Sequence, residues 1–495
     1  MSTSYAAAAR LVRVLVRAFF RRIEVVGSDN VPPSGGGLLI AWHPNGLIDP
    51  ALILSRMPRR VAFGARHGLF RVPVVGALLR AVGAVPIFRA ADAAGSAEER
   101  RRHNQLSLAA LARAISDGDF AALFPEGVSH DAPHLMELRT GAARLYYEAR
   151  RATAPGKPLP VIVPVGLHYD DKRAFRSSAL VTFEAPLRLP AHLDVTPEAG
   201  ESDDVERERA RQLTAEMERA LTEVIHATES WELHHRMHRA RKLVRAERGR
   251  RAGKRLERPD MVERALGFAR VWAGYYQRRR SHPDEVATLE ARLASYDADL
   301  RALALEDHEL DADPRLGSLW LPALLALQVV TVYLLLPPIL LVGYLVNVPV
   351  ALLLVGVSRL VSNAYKDEAT VKVLLGALLF PVVWVGAGIV AARAHIELRA
   401  SIPALPDVPV LTGVVFALVA ALGGAVALRY LRVARETARA VRIRLFRPWR
   451  KRATARLLAE RAALYEAITG LAEGLELPGQ VGDDGRVVRG AGRSG

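Results

Sequence analysis

The chain contains no cysteine among its 495 residues. This absence excludes disulfide bonds, thiolate nucleophiles, cysteine-bound zinc and iron–sulfur clusters. Several catalytic and nucleotide-binding motifs are missing as well. The sequence has no Gly-x-Ser-x-Gly elbow, no Walker A loop and no Gly-x-Gly-x-x-Gly sequence after a strand. Hydrolase, nucleoside triphosphatase and dehydrogenase functions are therefore poorly supported.

Aromatic residues are also scarce, at 6% of the chain, whereas 51% of the residues are hydrophobic. Leu, Val and Ala must therefore supply most of the apolar surface. The mean hydropathy of +0.12 is high for a chain that is 24% charged and has a net charge of +16. These averages indicate a division between strongly apolar and strongly basic segments. At about 100–200 residues per domain, the length predicts more than one structural unit.

The apolar residues are concentrated in the C-terminal half. Residues 317–357 contain no charged side chain, and a Pro-Pro pair interrupts this run near its middle. Residues 373–392 and 408–428 form two further uncharged runs. Because a membrane-spanning helix needs about 20 apolar residues, we predict a transmembrane region of about four helices at residues 317–430. Three helices would remain if the first run does not cross the membrane twice.

Two basic segments flank the apolar runs. Residues 236–258 contain eleven Lys or Arg and two Glu, and residues 429–456 contain eleven Lys or Arg and one Glu. Basic flanks stay on the cytoplasmic side of a membrane. We therefore predict an integral membrane protein whose soluble parts face the cytoplasm, which requires an even number of spans. Anionic membrane lipids would attract these segments, and no nucleic-acid-binding motif is evident despite a pI near 10.4.

Residues 1–22 predict an amphipathic helix at the membrane interface. Four arginines recur at helical spacing on one face of this segment, and aliphatic residues lie away from them. Such a helix suits the surface of an anionic membrane. The alternative is a helix that packs against the folded domain and keeps its arginine face in water.

Residues 23–190 predict an α/β domain in which short apolar strands alternate with helices that cover the sheet. The expected strands are residues 38–42, 61–65, 120–124, 161–165 and 180–183. The expected helices are residues 51–57, 74–82, 106–115 and 141–150. The rest of the soluble part is predicted as a basic helical region, a basic cytoplasmic helix and a disordered tail. These are residues 197–310, 431–477 and 478–495.

Two histidines of the helical region, His234 and His238, have the i, i+4 spacing of zinc ligands. The glutamate of a His-Glu-x-x-His motif is missing, however. We therefore predict that these histidines lie on a solvated basic helix face. No part of the sequence calls for a metal or another cofactor.

The first candidate site directly follows the first central strand. An imidazole titrates near neutral pH, so His43 is suited to accept a proton from a hydroxyl group. Asp49 lies six positions later, and the intervening Pro-Asn-Gly sequence favours a turn that would bring the two side chains together. Asp49 precedes a proline, which predicts an N-cap, so Asp49 would cap a helix and accept a hydrogen bond from His43. In the alternative, Asp49 is only a helix cap and His43 is a buried strand-end residue.

Two further motifs are short apolar runs. The run that begins at Gly83 ends at Arg89, whose guanidinium group suits a phosphate. The run at residues 161–164 contains a proline, which predicts an edge strand or an irregular strand. Taken alone, either run is compatible with an ordinary buried strand.

The remaining motif is an apolar strand that ends in Phe-Pro-Glu-Gly. Glu126 then stands at the carboxyl end of a strand, where α/β sheets bind ligands, and it can accept hydrogen bonds from a polyol. Gly127 allows a close approach of the backbone to a ligand. Arg139, just before the helix that starts at Gly141, adds positive potential for an anion. Taken alone, this motif is also compatible with a solvated glutamate in a turn.

In this order and spacing, the four motifs resemble the sequence blocks of the glycerolipid acyltransferase family, which comprises glycerol-3-phosphate and 1-acylglycerol-3-phosphate acyltransferases. That family transfers a fatty acyl chain from acyl-CoA or acyl-carrier protein to a glycerol phosphate. The resemblance covers roughly residues 25–190. Five residues separate His43 from Asp49 where four are common. The longer spacing is similar to the branch that acylates glycerol 3-phosphate and dihydroxyacetone phosphate.

The resemblance implies direct acyl transfer on an acyltransferase-type α/β sheet covered by helices. His43 would take the proton from the acceptor hydroxyl, and Asp49 would orient the imidazole. The implied substrate-binding residues are Arg89, Glu126, Gly127, Ser129 and Arg139. The alternatives are acylation of lysophosphatidate or another lysolipid, and a non-catalytic membrane protein that keeps the fold.

Overall fold

A computed structural model of the chain describes residues 3–489, apart from residues 89–95, 173, 199, 255, 304, 312–319, 362–367 and 447–450. Its N-terminal half is built around a seven-stranded sheet. The strands are β1 (Arg22–Val26), β2 (Gly37–Ala41), β3 (Val61–Arg66), β4 (Val85–Ile87), β5 (Phe120–Leu123), β6 (Val161–Tyr169) and β7 (Ser178–Phe183). Their order across the sheet is β1-β7-β6-β2-β5-β3-β4. β6 and β7 are antiparallel, and the other neighbouring pairs are parallel.

Helices cover both faces of this sheet. They are α1 (Thr3–Phe19), α2 (Ile48–Arg56), α3 (Pro73–Ala81), α4 (Ala97–Ser116), α5 (Gly141–Ala152) and α6 (Asp203–Ile225). The first three pack with alternate strand residues such as Leu39 in one core. The other three pack in a second core with the residues in between, such as Leu38 and Ile40. This arrangement confirms the predicted fold class of an α/β sheet covered by helices.

Each strand and helix expected within residues 23–190 is present, although some boundaries differ. α4 begins at Ala97, well before the expected start, and β6 continues to Tyr169. β1 and β4 are strands that the sequence pattern did not predict. β1 contains the charged residues Arg22 and Glu24, and β4 has only three residues, so neither gives a clear apolar signal.

The proline-containing strand was expected to be an edge strand or an irregular strand. It is not an edge strand, because β6 lies between β2 and β7. The carbonyl of Pro164 accepts a hydrogen bond from the Glu184 N–H at 2.9 Å. The missing amide hydrogen of Pro164 therefore faces the same side, next to Val165, where the pairing with β7 ends. The proline therefore interrupts no hydrogen bond between β6 and β2, and its missing N–H falls at the end of the pairing with β7, so an interior position is tolerated.

α1 packs against the sheet domain. This position agrees with the alternative prediction for residues 1–22, a helix that packs on the folded domain. Val12, Val16 and Phe19 are buried in the core, so the face that the sequence suggested for a membrane is partly used for folding. Leu11 and Val14 remain 50% and 62% exposed. Contact of this exposed face with lipid stays a prediction.

Four helices follow the sheet domain within residues 231–310. They are α7 (Trp231–Arg251), α8 (Met261–Ser281), α9 (Pro283–Ala302) and α10 (Asp307–Leu310). The carboxylate of Glu24 in β1 accepts hydrogen bonds from the N–H groups of Met261 and Val262, at 3.0 and 3.1 Å. Because these N–H groups have no partner inside the helix, Glu24 caps α8 and attaches it to the edge of the sheet.

The apolar C-terminal half forms helices, as predicted. They are α11 (Trp320–Val330), α12 (Leu336–Ile339), α13 (Leu341–Val361), α14 (Glu368–Ser401) and α15 (Pro409–Phe446). Three of them, α13, α14 and α15, are long and apolar enough to cross a membrane. Ala323–Leu335 forms a shorter apolar helix. In the described part of the chain there are thus three long spans instead of about four, because the first uncharged run is split at Leu340 into a short helical segment and α13.

A polar side chain joins the three long helices. Asn347 of α13 donates a hydrogen bond to the Ala420 carbonyl of α15 at 2.8 Å and accepts one from the Trp384 indole of α14 at 2.9 Å. Glycines let the helices approach closely, since a Cβ on Gly343 would stand 2.7 Å from the carbonyl oxygen of Gly423. Small residues and buried amides are typical contacts between membrane helices.

The C-terminal segment packs on the helical region. α15 extends into the predicted basic segment, and α16 (Lys451–Leu471) packs with α7 and α9 through a core that includes Leu457 and Leu464. Two short strands, β8 (Gln480–Val481) and β9 (Val487–Val488), follow it and form a hairpin. The prediction of a disordered tail is therefore wrong for residues 480–488, because Arg270 of α8 donates hydrogen bonds to the Pro478 and Gly479 carbonyls and fixes the start of this hairpin.

Candidate active site

The segment that contains His43 and the Phe-Pro-Glu-Gly motif meet at one edge of the sheet. β2 and β5 are adjacent parallel strands, so the residues after their carboxyl ends lie side by side. His43 follows β2, and Glu126 follows β5. The backbone N–H of His43 donates a hydrogen bond to Oε2 of Glu126 at 2.9 Å. Two segments that are 83 residues apart in sequence are thereby joined directly.

His43 and Asp49 form a hydrogen-bonded pair. Nδ1 of His43 lies 2.8 Å from Oδ2 of Asp49, and the Asp49 side chain is fully buried, whereas that of His43 is 19% exposed. Because an ionised carboxylate only accepts hydrogen bonds, Nδ1 carries the proton and Nε2 keeps its lone pair. Within the described residues Nε2 has no hydrogen-bond partner. The partly exposed imidazole therefore keeps one ring nitrogen available to accept a proton.

Asp49 is held by groups other than the helix that it was expected to cap. α2 begins at Ile48, one residue before Asp49, so the N-cap prediction is wrong. Oδ2 of Asp49 also accepts a hydrogen bond from the backbone N–H of Asn45 at 2.7 Å, within the turn that starts at His43. Its Oδ1 accepts the hydroxyl of Tyr169. These donors fix the orientation of the carboxylate.

Tyr169 is a functional candidate that sequence reasoning missed. It lies at the end of β6, 120 positions after Asp49, so no local pattern could connect the two residues. Burial, and then the negative charge of Asp49, raise the pKa of Tyr169 well above the usual value for a phenol. The hydroxyl therefore remains a hydrogen-bond donor throughout the physiological pH range.

Glu126 is buried, and both of its oxygens are used by the protein. Oε1 accepts the backbone N–H of Met136 at 2.9 Å and contacts Nε2 of His130 at 2.5 Å, while Oε2 accepts the N–H of His43. His130 also donates its own N–H to the carbonyl of His43 at 3.0 Å. In this conformation Glu126 positions the backbone of His43 and does not present the free carboxylate expected for a polyol.

The His43 ring stacks on the ring of Phe124 from the Phe-Pro-Glu-Gly motif. The ring centroids are 4.1 Å apart, and the planes are inclined by only 16°. This contact and the hydrogen bond to Asp49 together restrict the rotation of the imidazole. A base held in this way loses little conformational freedom when it engages a substrate.

The structure also places Gly127 next to Arg139. Gly127 has a positive φ of 69°, and a Cβ at this position would stand 3.2 Å from Cδ and Nε of Arg139. Arg139 is exposed, and its guanidinium has no hydrogen-bond partner among the described residues. Ser129 lies in the same turn and is partly buried. The predicted phosphate ligand Arg89 lies outside the described residues, so its position relative to these groups stays a prediction.

A membrane-length helix contacts the turn that contains His43 and Asp49. The backbone N–H of Leu47 donates a hydrogen bond to the hydroxyl of Thr370, in the first turn of α14, at 3.2 Å. Val373, one turn later, packs against the core on the α1 and α2 side of the sheet. The candidate active site therefore adjoins one end of the apolar helix bundle.

The prediction of a solvated face for His234 and His238 is wrong. Both rings pack against Phe268, with centroids 4.7 and 4.4 Å away. Burial lowers the pKa of His234 to about 4 and that of His238 well below its ordinary value. The described residues contain no group of three or more His, Asp or Glu arranged to hold a metal ion.

Comparison with known proteins identifies relatives of the N-terminal half. Residues 22–168 match the family model described as Acyltransferase. An uncharacterized acyltransferase of Schizosaccharomyces pombe is 24% identical over an alignment of 262 residues, and the match covers 36% of this chain and 38% of that protein. Glycerol-3-phosphate O-acyltransferase 1 of Saccharomyces cerevisiae is 26% identical over 195 residues, which is 39% of this chain and 24% of that protein.

A solved structure is also similar to part of the chain. The crystal structure of a 1-acyl-sn-glycerophosphate acyltransferase from Thermotoga maritima aligns with 45% of this chain and 84% of its own, at 16% identity and a TM-score of 0.29. The matches to the two yeast proteins span only 38% and 24% of their lengths. The chain therefore spans well under half the length of these two yeast relatives.

Proposed function

We propose that the protein is a membrane-bound enzyme that transfers a fatty acyl group from acyl-CoA or acyl-carrier protein to a glycerol phosphate. The match of residues 22–168 to the acyltransferase family model supports this proposal. Glycerol 3-phosphate is the favoured acceptor, because the five-residue spacing between His43 and Asp49 resembles that branch of the family and one relative is named glycerol-3-phosphate O-acyltransferase. The observation that carries the proposal is the 2.8 Å contact between a partly exposed His43 and a fully buried Asp49.

In the proposed reaction, His43 acts as a general base. Nε2 takes the proton from the acceptor hydroxyl while the hydroxyl oxygen attacks the thioester carbonyl. The C–S bond then breaks, and the thiol leaves with the proton that the imidazolium returns. Asp49 stabilises the imidazolium and keeps the proton on Nδ1. General-base catalysis of this kind contributes typically about 10²–10⁴-fold to a rate.

Tyr169 and Glu126 are positioning residues in this mechanism. Tyr169 and the Asn45 N–H hold the Asp49 carboxylate, so that it cannot turn away from the imidazole. Glu126 holds the backbone of His43. The support for these roles is geometric, since each contact fixes one end of the catalytic pair.

The phosphate of the acceptor is proposed to bind near Arg139. This guanidinium is exposed beside Gly127 and precedes the first turn of α5, whose free N–H groups favour an anion. Arg89 and Ser129 are added to this set by family resemblance. Two guanidinium groups would suit a phosphate through charge-assisted hydrogen bonds.

The contact of the catalytic turn with α14 supports a reaction at the membrane surface. A long acyl chain is poorly soluble in water, and the bond between Leu47 and Thr370 holds the candidate base beside an apolar bundle. The basic segment at residues 236–258, which lies between the sheet domain and the spans, favours the cytoplasmic face for this site. Acyl donors and the lipid product would then exchange directly with the adjacent leaflet.

An acceptor screen tests the proposal. The purified full chain in phosphatidylcholine nanodiscs is incubated with labelled acyl-CoA or acyl-carrier protein and with glycerol 3-phosphate, dihydroxyacetone phosphate or lysophosphatidate. We expect the highest kcat/KM with glycerol 3-phosphate. A preference for lysophosphatidate would overturn the acceptor assignment, and the absence of acyl transfer to each of the three acceptors would overturn the enzymatic function.

A further inference from the structure

A cavity of about 320 Å³ lies in the helical region, outside the sheet domain. It is lined by α7, α8, α9, the end of α16 and the β8–β9 hairpin. Its apolar wall includes Val244, Val271, Leu293 and Leu471. The volume is near the lower end of the range of about 300–1,000 Å³ that is typical of small-molecule sites.

The charged residues that line this cavity are unbalanced. They comprise six arginines and two glutamates. Both glutamates are neutralised by two of these arginines, since Arg236 contacts Glu290 at 2.7 Å and Arg245 contacts Glu263 at 2.6 Å. Four guanidinium groups remain in excess on the lining, and these are Arg241, Arg248, Arg270 and Arg278.

None of these four arginines has a carboxylate partner within the described residues. Arg270 and Arg278 donate to backbone carbonyls of the segment after α16, which orients them without neutralising their charge. An apolar cavity with uncompensated positive charge on its wall is electrostatically complementary to an anion that also has an apolar part.

Arg241 is the most constrained of the four. It is only 7% exposed, and its Nε is buried without a hydrogen-bond partner among the described residues. Burial, together with the positive charges of Arg264 and Arg245, lowers the pKa of Arg241 to about 10. The two nearest carboxylates are already engaged, Glu263 by Arg245 and Asp170 by Arg264.

A buried guanidinium without a counter-ion is unfavourable, because its lost hydration is not replaced. The burial of Arg241 is therefore difficult to explain by folding alone. The aliphatic part of the Arg241 side chain lies against Gly267. A Cβ at position 267 would stand 3.0 Å from Cγ of Arg241, so a side chain larger than glycine at position 267 would crowd the arginine. This packing keeps the guanidinium on the cavity wall.

We propose that this cavity binds a single-chain amphiphile that has one anionic head group, either a carboxylate or a phosphate monoester. The head group binds Arg241, with Arg248 nearby, and the chain lies against the apolar wall formed by α8, α9 and α16. The small volume favours one acyl chain over a two-chain phospholipid. A free phosphate or a nucleotide would leave the apolar wall unused. This site is separate from the His43–Asp49 pair, so its occupancy can be tested independently of acyl transfer.

The test uses the full chain in phosphatidylcholine nanodiscs and a medium-chain fatty acid with a photoactivatable group in its chain. After irradiation, the labelled peptides are identified by mass spectrometry. We expect labelling within α7, α8 and α16, and we expect competition by unlabelled fatty acid or lysophosphatidate. The stronger of these two competitors identifies the head group. Inorganic phosphate and uncharged monoacylglycerol should compete poorly.

Arg241→Met tests the head-group contact. Loss of a charge-assisted hydrogen bond should weaken labelling of the cavity peptides about tenfold. Arg241→Lys should retain part of it, and Lys242→Met is the matched control, because Lys242 is exposed on the same helix and does not line the cavity. Without ligand, Arg241→Met should unfold at the same temperature as the wild type or higher, since an unpaired buried charge is removed.

Three kinds of result would overturn the proposal. The first is equal labelling of the cavity peptides in Arg241→Met and in the wild type, or competition by monoacylglycerol that is as strong as competition by fatty acid. The second is labelling confined to peptides outside α7, α8, α9 and α16. A lower unfolding temperature of ligand-free Arg241→Met would assign Arg241 a structural role and would also contradict an anion site.

Discussion

The hydroxyl of Thr370, in the first turn of the membrane-length helix α14, accepts a hydrogen bond from the backbone N–H of Leu47 at 3.2 Å. Leu47 lies between His43 and Asp49, so this bond connects the apolar bundle to the turn that forms the candidate catalytic pair. The position of the turn therefore depends on the membrane region as well as on the sheet.

Thr370→Val should lower kcat about tenfold, because the substitution keeps the shape of the side chain but leaves the Leu47 N–H without its acceptor. The measurement is steady-state acyl transfer in nanodiscs. Thr412→Val is the matched control, since the Thr412 hydroxyl bonds within α15 and near His395, away from the turn. Equal kcat values for the wild type and Thr370→Val would show that α14 does not position the site.

Tyr169→Phe should reduce kcat about tenfold with little change in KM, because it removes one donor from Asp49 and no contact proposed for the substrate. The raised pKa of Tyr169 adds a pH prediction. Since the phenol stays protonated well above its usual range, the loss should be the same from neutral pH to about pH 9. A loss that shrinks as the pH rises would contradict this assignment.

Tyr147→Phe serves as the control for that variant. The Tyr147 hydroxyl is also buried, but it donates to the Leu193 carbonyl at 2.9 Å, far from the catalytic turn. Its removal should change stability without a selective effect on kcat. Similar kcat losses in both variants would indicate a general folding defect.

A histidine–aromatic cluster, defined here as His168, His226, His234, His238 and Phe268, should make the protein sensitive to acid. Burial lowers the pKa of His168 to about 4 and that of His226 to about 3. The unfolded chain, with histidine pKa values of about 6.5, binds more protons in this range, so stability falls as the pH drops from about 6.5 toward 4. Each such histidine adds a slope of up to about 1.4 kcal/mol per pH unit.

His226→Asn should make this pH dependence shallower, as measured by thermal unfolding between pH 7 and 4.5. His226 has a φ of 53°, a conformation that asparagine tolerates, so the variant should fold. His192→Asn, at an exposed loop position, should leave the slope unchanged. If both variants showed the wild-type slope, protonation of the cluster would not govern acid stability.

Arg461 joins α16 to the helical region and should be sensitive to replacement. Its side chain is fully buried and contacts Glu247 at 3.0 Å and also Asp311. Arg461→Met should lower the free energy of unfolding by about 1–3 kcal/mol, because the Asp307 carbonyl and the Asp311 carboxylate lose a donor, while Glu247 keeps its pairs with Arg250 and Arg251. Arg456→Met, which removes an exposed pair with Asp299, should cost less than about 1 kcal/mol. Comparable losses in the two variants would contradict the inferred role of burial.

Local sequence patterns predicted the sheet domain well, and its long-range contacts poorly. Strands β2, β5 and β6 are short apolar runs beside turn residues, so they could be identified directly. The turn between His43 and Asp49 was predicted from its Pro-Asn-Gly sequence, and the structure brings these two side chains together. Their catalytic role stays a prediction.

The details that failed depend on residues distant in sequence. Asp49 was assigned to the cap of α2, yet its carboxylate accepts from Tyr169, which only the fold brings near. The contact of Glu126 with the backbone N–H of His43 was not predicted either, because the two residues are 83 positions apart, and substrate binding by Glu126 stays a prediction. His234 and His238 were predicted to be solvated, because helical spacing alone does not reveal that Phe268 packs against them.

The most direct test of the central claim is the rate of acyl transfer by purified His43→Ala in nanodiscs, with labelled acyl-CoA and glycerol 3-phosphate, alongside His192→Ala as a surface control. We predict a loss in kcat of about 10²-fold or more for His43→Ala at an unchanged unfolding temperature, because the proton acceptor is removed. Transfer by His43→Ala at the rate of the wild type and of His192→Ala would contradict the account.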